Sequence, residues 1–167
     1  MEKSGFFNSS DGDRIYDATD FAAYFGNLVS NGVFYITATN LQVSPGSGLA
    51  VSVAAGSAWI NGYRYENTGA LNMPLTTANG SNPRIDRIVV RLSQVARSIQ
   101  LAVITGTPAA TPVAPSLTRT SDIYELGIAD VLVPTAATSI IVNNITDTRL
   151  NTSLCGLVNS LVSAVYE

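Results

Sequence analysis

The chain has no histidine, a single lysine (Lys3) and a single cysteine (Cys155). Each scarcity closes a class of function within this stretch. Without histidine there is neither the commonest general base nor the commonest zinc ligand, which removes Ser-His-Asp and Cys-His catalysis. A Ser-Lys pair would have to use Lys3, three residues from one end. One cysteine cannot form an internal disulfide, so the fold does not depend on oxidation, and Cys155 reads as a small buried hydrophobe. Charge is scarce too, at 13% of residues with a net charge of -3, against the quarter or so usual in soluble domains. The arginines are scattered, so no basic patch can track phosphates and nucleic acid is not expected as a partner. No stretch approaches the roughly 18 consecutive apolar residues of a membrane span, and Met1 to Ser4 lack the apolar run of an export signal.

What remains is 46% hydrophobic residues with a surface that must be built from Ser, Thr, Asn and Gly. Such neutral polar surfaces suit a protein embedded in an assembly, where few charges need desolvation, and also suit a sugar binder. A length of 167 residues fits one core. The pattern divides it into a β-rich domain over 1–150 with an N-terminal helix at about 17–30, and a second segment, 151–167, that reads as the start of a helical stalk.

In the first helix, Asp17 is placed to cap the N-terminus with Asp20 in the first turn, and Asn31-Gly32 to stop it. Phe21, Tyr24, Phe25 and Leu28 define its apolar face. From Val33 to about Thr148 the chain reads as short strands divided by turns, the pattern of an antiparallel β-sandwich. Leu49, Val51 and Val53 share one face. Asn61-Gly62 between two β-rich runs predicts a hairpin with a type I′ turn. Arg84 to Ser93 reads as a half-buried strand with Ile88, Val90 and Leu92 inward and Arg87 and Arg91 on a wet side, answered by Ile99, Leu101 and Val103 of Ser98 to Thr105. The prolines of Gly106 to Thr118 forbid a ladder and predict an exposed stiff loop. Ile123 to Val133, bulged at Gly127, and Ser139 to Thr146 are the last strands. Leu154, Leu157, Val158, Leu161, Val162 and Val165 form a helical stripe that either packs back on the domain or zips to copies of itself, with Leu157, Leu161 and Val165 as oligomerisation contacts.

Candidate chemistry is thin. Glu66, Glu125 and the Asp residues could pair as in glycosidases, but most carboxylates sit beside an arginine, as in Asp13-Arg14, Asp86-Arg87 and Asp147-x-Arg149, and read as structural ion pairs. Asn8 to Asp13 is rich in oxygen ligands yet lacks a calcium-loop pattern and reads as a turn. Pro45 to Gly48 leads into a strand, so no helix N-terminus receives a phosphate. Trp59, Tyr63 and Tyr65 are either hairpin packing or a sugar-stacking platform. No catalytic residue, metal ligand or cofactor is expected.

Five stretches resemble a known family: Phe6 to Tyr16, Phe21 to Phe25, Ala55 to Tyr63, Pro83 to Arg91 and Ile145 to Arg149. In this order they are similar to the N-terminal attachment domain of tail-fibre and upper-baseplate proteins of bacteriophages infecting Gram-positive bacteria. The resemblance implies a non-enzymatic virion protein in the phage tail, made in the host cytoplasm. It would anchor a receptor-binding appendage to other tail or baseplate proteins, with a homo-oligomeric helical stalk following. Trp59, Asn61, Gly62, Arg84, Asp86, Arg87, Asp147 and Arg149 are then fold determinants, with Asp86 expected to pair with Arg87 or Arg149. The competing class is a lectin-like carbohydrate-binding module that uses either the Trp59 to Tyr65 hairpin, with Trp59, Tyr63 and Tyr65 as stacking rings, or the proline loop.

Overall fold

A computed structural model describes residues 4–162. It is mainly β, with three antiparallel sheets and one short helix, α1 (Ala18–Gly26). The strands are β1 (Gly32–Val33), β2 (Val43–Pro45), β3 (Ala50–Val53), β4 (Gly56–Ile60), β5 (Tyr63–Asn67), β6 (Leu71–Pro74), β7 (Arg84–Ser93), β8 (Ser98–Ile104), β9 (Ile123–Val133) and β10 (Ile145–Asp147). They are ordered β1-β4-β5, β2-β3-β6 and β10-β9-β7-β8.

One core draws on all three sheets. Val33 and Ile60, Val51 and Val53, and Ile88, Val90, Leu126, Ile128 and Val131 meet there with almost no exposure. Side chains alternate across a strand, so every second residue of β7 enters this core, and each large one buried contributes about 1.5 to 3 kcal/mol. Opposite Ile88, Val90 and Leu92 stand Val103, Leu101 and Ile99 of β8, in the register expected from the sequence.

The other face of β7 is not wet. Its register with β9 slips between Ile88 and Val89, leaving Ile128 without a partner beside Gly127. That extra residue matters because Arg87 and Arg91 are four apart while their partners, Asp130 and Glu125, are five apart. Only a bulge puts both carboxylates on the arginine face. Arg87 Nε then donates to Asp130 at 2.6 Å and Arg91 Nε to Glu125 at 2.6 Å. Over these pairs runs the proline-rich segment. Arg87 Nη1 donates to the Pro115 carbonyl, and Glu125 accepts from the Thr118 amide, each at 2.6 Å. The strap is therefore fastened by side chains where proline denies it a ladder.

Two further ion pairs fasten irregular segments. Asp86 pairs with Arg84 at 2.9 Å, rather than with Arg87 or Arg149 as the charge order suggested, because residues two apart on a strand share a face. Arg84 also donates to the carbonyls of Thr76 and Thr77, and Asp86 accepts from the Gly106 amide. Arg149 pairs with Asp147 and donates to the carbonyls of Ala38 and Asn40. Its guanidinium holds the Asp147 carboxyl below the usual carboxylate range.

Three expectations need correction. The helix ends at Gly26 with Asn27 as its cap, short of Asn31-Gly32. Asn31 instead exchanges hydrogen bonds with Asn61, and a Cβ on Gly32 would lie 2.5 Å from the Leu157 backbone. Of the strand expected over Ser139 to Thr146, only the end forms, as β10; Val142–Asn144 is a 3-10 turn. Residues 151–162 contain no helix. Their backbone groups are committed elsewhere: the Leu154 carbonyl accepts from Gly127, the Gly156 carbonyl from Val33, the Asn159 carbonyl from Ser30, and the Leu161 amide donates to Leu28. A chain so tied cannot also make the hydrogen bonds of a helix four residues apart. The bulge supplies one anchor, since its freed groups at Gly127 and Ile128 bond to Leu154 and Thr148. The segment thus lies back against the domain without forming the helix that both alternatives assumed, and burial pushes the Cys155 thiol within it up to about 12.

Candidate docking surface

Helix α1 begins as the sequence predicts, with Asp17 accepting from the amides of Thr19 and Asp20 while the Asp20 carboxylate accepts in turn from the Asp17 amide. Its aromatic face does not enter the core. Only Ala22 is buried, and it is buried because it rides on the β4-β5 turn. There Asn61 and Gly62 have φ of 49° and 84°, the two left-handed residues of a type I′ turn. A Cβ on Gly62 would lie 1.9 Å from the Ala22 carbonyl oxygen, so the turn glycine is also the seat of the helix.

The rings of α1 collect those of the preceding arm instead. Phe6 stacks on Tyr16 at 5.4 Å and meets Phe21 and Tyr24 at 5.6 and 5.1 Å. The Tyr16 hydroxyl accepts from the Phe7 amide, closing the arm into a loop. Phe25 meets Trp59 edge-on at 5.8 Å, and Phe34 meets the same indole edge-on at 6.4 Å. The cluster stays open to solvent: Phe6, Phe21 and Tyr24 are about half exposed, and Phe7 is 58% exposed. Arg14 lies over the Phe7 ring at 5.8 Å and pairs with Asp13, so polar groups border the rings. Contiguous aromatic exposure of this kind, rimmed by polar groups, marks a contact surface.

Among the other candidates, Trp59 pairs across the hairpin with Arg64, whereas Tyr63 and Tyr65 pair with Ile60 and Ala58. Cross-strand partners share a face. The indole therefore lies on the side opposite the two tyrosines, which pack against the core, and the three rings do not form one platform. Leu157 is half-buried against the core, bridged to Val33, while Leu161 is about half exposed. Val165 lies outside the described residues. Asn8 to Asp13 forms a turn in which Asp13 accepts from the Ser10 amide. Among the described residues no group of three or more His, Cys, Asp or Glu gathers as metal ligands, and no helix is long and apolar enough to cross a membrane.

Sequence reasoning missed the arm. Phe6, Phe7 and Tyr16 follow neither period, because they are joined by an Asp-Gly turn rather than by a helix or strand. The available signal was the density of rings on both sides of that turn. No family model matches the chain, and neither a curated protein nor a solved structure matches it.

Proposed function

We propose that this domain is a structural, non-catalytic component of a bacteriophage tail that anchors a receptor-binding appendage to the baseplate and supports its oligomerisation. The observation that carries the reading is the aromatic arm. An anchor needs an apolar surface left for another protein, and half-exposed Phe6, Phe7, Phe21 and Tyr24 supply one, held by Ala22 on Gly62. The ion-paired straps support the same role, since they make the domain behind the arm a stiff base. In this reading the sheets close as a sandwich around their shared core.

Antibodies raised against residues 4–162 should decorate the tail tip of particles that carry the protein, seen by negative-stain electron microscopy. Particles bearing Phe7→Ser with Tyr24→Ser should lose the label because the domain no longer incorporates. Label on the capsid, or incorporation unchanged by the double substitution, would overturn the reading.

A further inference from the structure

Among the described residues, six sheet edges end the three sheets, and five of them are blunted. β1, β2 and β10 have two or three residues, β6 has four and ends on Pro74, and β5 carries outward Arg64 and Glu66. Natural sheets blunt their edges in these ways to avoid pairing with other chains. β8 is the exception. Its seven residues, Ser98 to Ile104, contain no charge and no proline. Among the described residues it is hydrogen-bonded only through β7. Its inward side chains Ile99, Leu101 and Val103, with Tyr63 and Tyr65 of β5, are only partly buried against the core.

Beside the start of this edge lies an open cleft of about 530 Å³ lined by Tyr63, Arg64, Leu92, Arg97, Ser98 and Ile99, among others. Arg97 is the unusual member. Arg14, Arg64, Arg84, Arg87, Arg91 and Arg149 all pair with a carboxylate, and Arg119 donates to the carbonyls of Glu125 and Leu154 and covers Tyr124. Arg97 has no side-chain partner among the described residues. It also holds φ of 51°, where glycine or asparagine would close the β7-β8 turn at lower cost. The turn therefore gains nothing from an arginine; the cleft gains an uncommitted cation at its rim.

We propose that the β8 edge and this cleft form a strand-docking site for an extended acidic peptide segment of a partner protein. The segment adds to the four-stranded sheet through main-chain hydrogen bonds, covers the half-buried side chains between β8 and β5 with alternate apolar residues, and places a carboxylate on Arg97. The two requirements are independent: the bare edge asks for a backbone, the bare cation asks for an anion, and an acidic strand satisfies both. This deepens the assembly reading and rests on it for the partner being a protein.

The test uses the chain as it stands, isotope-labelled for NMR, and the synthetic heptapeptide Asp-Thr-Val-Thr-Val-Thr-Asp. Binding should slow hydrogen exchange at alternate β8 amides. Arg97→Glu should weaken it by about tenfold or more, as expected for reversing a rim charge, and a peptide with Lys in place of both Asp should bind that variant in turn. Methylating alternate peptide nitrogens, which leaves the protein untouched, should abolish binding. The proposal is overturned if the heptapeptide does not bind at millimolar concentration, if the methylated peptide or the Arg97→Glu protein binds equally well, or if glucuronic acid binds at Arg97 where the peptide does not. Any of these leaves the tail-tip labelling result unaffected, so the two readings fail separately.

Discussion

The two sides of this domain solve the problem of irregular chain in opposite ways. Behind the four-stranded sheet, the proline strap has no ladder of its own and is fastened by Arg87 and Glu125 to strands beneath it, while Asp86, on the core side of β7, holds its first residue, Gly106. In front, the N-terminal arm is held by ring contacts and by one helix seated on one turn, with its apolar area left half open. Charge-assisted hydrogen bonds are directional and fix a segment in one place. Ring contacts among exposed side chains are soft and can be completed by another surface. The back is fixed in place, and the front keeps apolar area open.

The comparison breaks first, and most severely, at Asp86. It is fully buried against Arg84 and the Gly106 amide. Asp86→Ala should cost about 3 to 5 kcal/mol, because it leaves the Arg84 cation buried and unpaired. Arg84→Met with Asp86→Leu should recover part of that loss, since no charge then remains to be compensated, although the Gly106 amide still lacks its acceptor. Urea midpoints of the three proteins measure both. A loss under about 1 kcal/mol for the single substitution would mean that the ion-paired fastenings are no stiffer than the ring contacts of the front.

Gly62→Val comes next. The substitution puts a branched side chain at positive φ and drives its Cβ into the Ala22 carbonyl, so it should cost at least about 1 kcal/mol. It should also lift α1 from the hairpin and change the fluorescence of Trp59, which Phe25 of that helix covers. An unchanged emission spectrum with lowered stability would place the strain in the turn alone.

These two sites show what is legible in the residues alone. The Asn61-Gly62 turn, the inward sets of β7 and β8 and the bulge at Gly127 follow from local rules, because strand period and left-handed turns depend on neighbours in sequence. The Asp17 and Asp20 cap is equally local. Pairing choice is not local: Asp86 has arginines at 84 and 87, and only the alternation of the strand, combined with what covers each face, selects Arg84. Nor is the fate of the 154–162 stripe. Its apolar spacing fits a helix, but Gly127, Val33 and Ser30, all distant in sequence, claim its backbone. The exposure of Phe21 and Tyr24 escapes prediction for the opposite reason. Periodicity reports an apolar face, not whether the domain has room to bury it.

The front face is tested by a smaller effect. Phe21→Ser and Tyr24→Ser should each shift stability by no more than about 0.5 kcal/mol, the range of surface substitutions remote from caps and core. Binding of a hydrophobic dye to the native domain should fall in the double variant. A loss well above about 1 kcal/mol, read from the urea midpoint, would make the arm part of the structural core and remove the surface on which the anchoring proposal rests.

The smallest effect is expected at Asp147, where the two kinds of fastening meet. Its partner Arg149 is buried and fixed to the carbonyls of Ala38 and Asn40, and the guanidinium also lies over the ring of Tyr35 at 5.6 Å. The carboxylate itself is 46% exposed, so solvent screens it, and the cation keeps its other partners if the charge is lost. Hydrogen bonding from Arg149 sets the folded acid below its ordinary value. A group whose folded pKa is depressed contributes stability above the unfolded value, near about 3.9 for Asp, and loses it as pH falls through the folded value. The difference in stability between the native protein and Asp147→Asn should therefore be level from neutral pH to about 5 and shrink as pH drops below about 4, by roughly 0.3 kcal/mol or less. Urea midpoints of both proteins at stepped pH measure it. A difference that is flat through the acid range would show that Arg149 is held by its carbonyls alone, and that the strap at Ala38 to Asn40 needs no carboxylate to stay in place.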